Sequence, residues 1–158
     1  NMIDSSIFIG AYYEGKNSDK CMLILKGAKD KVYLGHVSTV ILGEITKKLL
    51  GLKKEMRYRY EAIYDDLMNH LLNFVTLYIS EDTINTYNSL DIRGKNKSQD
   101  KINFACALQN NCTLFIMQDN DFSYEKKTKT KIVQISDKRN VILKKLLNEI
   151  KSRQSLQS

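Results

Sequence analysis

Apolar residues fall along the chain in short bursts separated by polar breaks, and the bursts alternate between strand and helix periodicity. The sharpest burst is Thr113-Leu114-Phe115-Ile116-Met117, which stops abruptly at Gln118-Asp119-Asn120-Asp121. A continuous apolar run of this length suits a strand covered on both faces, as in a parallel sheet. Met2-Ile3, Val32 to Val37, Val75 to Ile79 and Ile132 to Ile135 are the other predicted strands. Between them, Cys21 to Ala28, Val40 to Leu50, Tyr60 to Leu72 and Asp100 to Asn110 carry helical spacing. Ser38 or Thr39 is expected to start the second of these and Gly51 to end it. Asp4-Ser5-Ser6 reads as a polar turn. Ser80 to Thr83 opens a short helix, and Asp137 is expected to cap a last one from Lys138 to about Lys151.

Strands alternating with helices predict an α/β architecture with a mainly parallel sheet and right-handed crossovers. No internal repeat or linker is evident, so residues 2–151 are expected to form a single domain followed by a polar tail, 152–158. Asn1 ahead of Met2 reads as an appended residue. In such sheets ligands gather beyond the carboxyl ends of the strands, which is where Asp119 and Asp121 would sit.

Composition adds less. Hydrophobic content of 42% and charged content of 27% are ordinary for a globular chain. No apolar run is long enough for a membrane span, and no basic-then-apolar leader is present, so the cytoplasm is the expected location. The three cysteines include no Cys-x-x-Cys pair and sit among apolar neighbours, which favours buried thiols over disulfides. A formal net charge of +7 suits a polyanionic partner. Proline is absent, so turns must rest on Gly, Asn, Asp and Ser.

Four acids stand at element junctions: Asp4, Glu44, Asp100 and Asp119. Each alone could be a cap, a turn former or an i+4 partner of a lysine. Carboxylates at neighbouring strand ends converge, however, and like charges that close need a cation between them. An oxygen-only donor set suits Mg²⁺ or Mn²⁺ over zinc. Two basic segments border this set in sequence, Arg93, Lys95 and Lys97 before Asp100, and Lys126, Lys127 and Lys129 after Asp121. They would hold a single-stranded RNA backbone on both sides of a scissile phosphate. A calcium loop, a zinc site and a phosphate-binding glycine loop are not supported. With Asp119 as position one, position six is Tyr124 and not Gly, His36 and His70 are far apart, and no Gly-rich signature occurs.

The chain resembles the PIN-domain family over nearly its whole length. Met2 to Ile9 is similar to the family's opening strand, acid and nearby hydroxyl. Val37 to Ile45 is similar to the segment carrying its second acid, and Asp100 to Leu108 to its third acid and small-residue helix. Met117-Gln118-Asp119-Asn120-Asp121-Phe122 is similar to its closing motif, with Met117 where a hydroxyl residue is usual. The resemblance implies a three-layer α/β/α sandwich with a mainly parallel central sheet of four to five strands. It implies a metal-dependent endoribonuclease using Mg²⁺ or Mn²⁺. Asp4, Glu44, Asp100 and Asp119 would be the catalytic and metal-binding residues, Asp121 an auxiliary ligand, and Ser5 and Ser38 auxiliary polar groups. It further implies a homodimer and, for the toxin members of the family, an antitoxin-like protein partner. The competing expectations are a PIN-fold RNA- or protein-binding module whose site has decayed and a receiver-like phosphate switch. The switch leaves Glu44 and Asp100 unexplained.

Overall fold

The computed structural model describes residues 1–13, 15–55, 59–91, 98–118, 122, 124 and 127–156. Five strands, β1 (Met2–Ile3), β2 (Gly35–Ser38), β3 (Phe74–Leu77), β4 (Leu114–Met117) and β5 (Lys131–Gln134), form one sheet. The order is β3-β2-β1-β4-β5, and every pairing is parallel. Seven helices are present among the described residues: α1 (Ser5–Gly10), α2 (Ser18–Lys29), α3 (Thr39–Glu55), α4 (Tyr60–Leu71), α5 (Glu81–Ser89), α6 (Ser98–Gln109) and α7 (Val141–Ser155). Helix α2 packs on α1 and α7, and α3 adjoins α1 and α4, whereas α5 packs on α6, which leans on β4. Right-handed crossovers place these groups on opposite faces, giving the α/β/α sandwich.

The sheet is buried where the apolar runs are unbroken. All four residues of β4 are buried, as are both of β1, while the edge strands β3 and β5 have one buried residue each, Phe74 and Val133. Phe104 of α6 is the hub beneath β4. Its ring meets those of Phe115, Phe122 and Tyr124 at centroid distances of 5.9, 5.5 and 5.4 Å. On the other face α2 and α7 approach closely at Gly27, where an added Cβ would lie 2.7 Å from Ile150 Cδ1.

Several element boundaries differ from the sequence reading, each for a local reason. Helix α3 does not stop at Gly51 but continues to Glu55, because Leu52 extends the buried row of Ile41, Ile45 and Leu49. Burial outweighs a single glycine's helix penalty of about 1 kcal/mol. Strand β2 begins at Gly35, not Val32, and β3 at Phe74, not Val75. Asp4-Ser5-Ser6 is a cap and the first turn of α1, not a free turn. Asn140, not Asp137, caps the last helix, accepting from Leu143 N at 3.0 Å. That helix runs through Ser155, beyond the expected end at Lys151, and Gln154 donates from Nε2 to Asp30 Oδ2 at 2.9 Å.

Cys21, Cys106 and Cys112 are all buried free thiols. Burial pushes Cys21 up to about 12 and Cys106 up to about 11, and raises Cys112 as well. Only the thiolate is nucleophilic, so a disulfide reagent at about pH 8 should modify none of them in the folded protein. In urea the same reagent should titrate all three. Fast labelling of the native chain would contradict this packing.

Candidate active site

Strand β1 is the point at which the sheet order reverses, since the chain moves outward through β2 and β3 and returns to β4 on the other side. A crevice opens beyond the carboxyl ends of the strands at such a point. Asp4 is the first residue past β1. Its N–H donates to Ile116 O at 2.9 Å, so the sheet ladder itself fixes where its side chain begins.

The two carboxylate oxygens of Asp4 have different duties. Oδ2 caps α1, accepting from Ser6 N at 2.9 Å and from Ser6 Oγ at 2.6 Å. Ser6 Oγ in turn accepts from Gln118 N at 3.0 Å, tying the cap to the first residue after β4. Oδ1 is buried and has no hydrogen-bond partner among the described residues. Asp4 as a whole is only 4% exposed. A buried carboxylate oxygen without a donor costs free energy unless a cation or hydrogen bond meets it.

Asp4 shares a cleft of about 300 Å³ with Glu44 of α3 and Asp100 of α6. Ser5, Ser6, Lys47, Lys48 and Gln99 complete its walls. Glu44 and Asp100 are half-buried. Asp119 and Asp121 lie outside the described residues, as do Arg93, Lys95, Lys97 and Lys126. Among the described residues, no group of three or more His, Cys, Asp or Glu side chains is placed to hold a metal ion. Three carboxylates therefore line one cleft without closing on a common point. The donor chemistry nevertheless fits a hard divalent cation: only oxygen is offered by the acids, and one buried oxygen is unengaged.

The serines divide unexpectedly. Ser5 accepts from Lys48 Nζ at 3.1 Å, which holds the ammonium at the cleft wall. Ser38, fully buried at the end of β2, accepts from Ile41 N at 3.0 Å and so caps α3. Its hydroxyl donates to Asn103 Oδ1 at 2.7 Å, one turn beyond Asp100 on α6. Among the described residues Ser38 thus binds no carboxylate directly but locks together the helices that carry Glu44 and Asp100. Four residues were not assigned to the site from the sequence: Ser6, which orders Asp4; Asn103, which anchors α6; and Lys47 and Lys48, which line the cleft. The Asp-x-Ser spacing of a side-chain cap was the available signal for Ser6.

Lys127 and Lys129 are exposed and do not line the cleft; Lys127 borders a separate cavity beside Phe104 and Tyr124. His36 and His70 are also remote from the cleft lining, and burial lowers the basicity of both. The loop after β4 is held at both described ends. Gln118 is tied to Ser6, and Phe122 is 1% exposed, with its carbonyl accepting from Gln134 Nε2 at 2.8 Å.

Removing the Ser6 hydroxyl should test this network. Ser6→Ala leaves Gln118 N without its acceptor and one carboxylate oxygen of Asp4 with a single donor. The expected loss is about 1–2 kcal/mol of stability, read from urea unfolding. An unchanged midpoint would show that the bridge contributes little.

No helix among the described residues is long and apolar enough to cross a membrane. No curated protein matches the chain significantly. A family model described as PIN domain matches residues 2–127. A match over well more than half of the sequence, on an all-parallel sheet of this order, means that the chain belongs to the PIN-domain family, a family of nuclease-type fold.

Proposed function

We propose that the protein is a metal-dependent endoribonuclease that hydrolyses phosphodiester bonds of single-stranded RNA. The observation that carries this reading is the buried, unengaged Oδ1 of Asp4 in a cleft shared with Glu44 and Asp100. Asp4, Glu44, Asp100 and Asp119 are assigned to hold Mg²⁺ or Mn²⁺, with Asp121 auxiliary to them. Bound there, the ion would supply an activated water and neutralise charge on a phosphoryl oxygen.

The remaining work falls to the chain itself. Ser6 holds the Asp4 carboxylate in one rotamer, and Ser38 with Asn103 keeps α3 and α6 in register. Lys47 and Lys48 at the cleft wall attract the phosphate backbone, and Lys48 is preoriented by Ser5. Arg93, Lys95, Lys97, Lys126, Lys127 and Lys129 are assigned to more distant phosphates. An antitoxin-like protein and a second copy of the chain remain partners suggested by the family resemblance alone.

Incubation with end-labelled single-stranded RNA and Mn²⁺ should give internal cleavage that a chelator abolishes. Salt-sensitive RNA binding without cleavage, indifferent to Mn²⁺, would instead identify a non-catalytic module on the same fold.

A further inference from the structure

Next to the carboxylate cleft lies a second cavity of about 360 Å³, and Ser6 and Lys48 line both. Its size falls at the small end of ligand pockets. Tyr13, Asn17 and Gln118 also line it. Asn17 occupies the cap position of α2 yet makes no side-chain capping bond, although its residue type is among the best caps. The Gln118 side-chain amide likewise makes no hydrogen bond to a described residue; only its backbone is engaged. Gly10 makes room for that amide, since an added Cβ would lie 2.5 Å from Gln118 Oε1. Tyr13, an aromatic residue of the lining, is 39% exposed.

We infer that this cavity is a base-recognition pocket for one unpaired purine next to the scissile phosphate. Unstacked RNA bases are held by aromatic side chains and read on their polar edges. Asn17 and Gln118 each present an acceptor oxygen beside a donor amino group. Adenine offers two matching edges, N6–H with N1 and N6–H with N7, and guanine offers N1–H with O6 and N2–H with N3, so either purine can satisfy both amides at once. Uracil has one N–H for two such partners, and cytosine has one suitable edge. With the purine seated, the adjoining phosphate leads past Lys48 toward Asp4. This placement of the phosphate rests on the ribonuclease reading, but recognition of the base does not.

The test is a set of fluorescein-labelled hexanucleotides, uridine throughout except for A, C, G or U at one internal position. Binding is measured by anisotropy with chelator present, so that no cleavage intervenes. The wild-type protein should prefer the adenine- and guanine-containing RNAs over the other two by about tenfold. Asn17→Ala and Gln118→Ala should each reduce that preference to about threefold or less, with unchanged circular dichroism. Lys48→Ala should weaken all four RNAs alike. Equal binding of the four by the wild type, no binding of any, or a preference intact in both variants would overturn the inference. Purine preference without cleavage after Mn²⁺ is restored would support the pocket while refuting the nuclease. Cleavage with no preference would do the reverse.

Discussion

Asp4→Asn should abolish RNA cleavage, by more than about 100-fold, while leaving the fold intact. The substitution keeps an oxygen able to accept from Ser6 N and Ser6 Oγ, so the cap of α1 survives. It replaces the unengaged Oδ1 with an amide that cannot serve a cation. Interactions with a catalytic metal contribute several kcal/mol to transition-state stabilisation, and each 1.36 kcal/mol is tenfold in rate. Stability should change little, because both hydrogen bonds from Ser6 are kept and only an unengaged carboxylate oxygen is lost from the interior. The decisive measurement pairs the cleavage rate with thermal unfolding. A variant that melts normally and still cleaves would place the chemistry elsewhere. Asp100→Asn should behave similarly. Glu44→Gln provides a third position in the same cleft.

Phe104→Ala carries the largest expected cost to stability, about 3–5 kcal/mol. The side chain is fully buried and meets three other aromatic rings, so truncation opens a cavity that β4 and α6 cannot easily close. Against a total of about 5–15 kcal/mol for a domain, that loss is a large fraction. Urea unfolding should show a markedly lower midpoint at unchanged slope. Phe104 also supports Phe122, the first described residue after the acidic stretch at 119–121. Phe104→Leu, a milder change, should therefore lower cleavage at a temperature where it remains fully folded. Unaltered cleavage by that variant would uncouple the aromatic cluster from the site.

The architecture was legible because parallel strands buried on both faces leave unbroken apolar runs, as Leu114 to Met117 do. Helix ends were harder to read. Gly51 carries a familiar stop signal, yet Leu52 still had a core to reach, and local preference yielded to packing. The acids could be singled out because Asp4 and Asp119 follow apolar runs, Asp100 falls in the first turn of a helix and Glu44 lies early in another. What could not be read was the division of labour inside one side chain. Asp4 is both a helix cap and the bearer of an unengaged oxygen, so the two readings offered by its position are simultaneously true. Ser38 and Ser6 exchanged expected importance for a similar reason. Which hydroxyl meets which partner depends on contacts such as Ser38 to Asn103 and Ser6 to Gln118, which no local pattern encodes.

The shortness of β1 has a consequence for biosynthesis. Met2 and Ile3 hydrogen-bond to β4, and Ser6 meets Gln118, a partner 112 positions away. On the ribosome these opening residues have no lasting neighbour on that side until Met117 and Gln118 have left the exit tunnel. Every shorter nascent fragment leaves the Asp4 amide without its acceptor on Ile116. Within this architecture the first strand and the cap beside Asp4 are completed only once residue 118 is available, so a fragment ending before it should leave the carboxylate cleft unassembled.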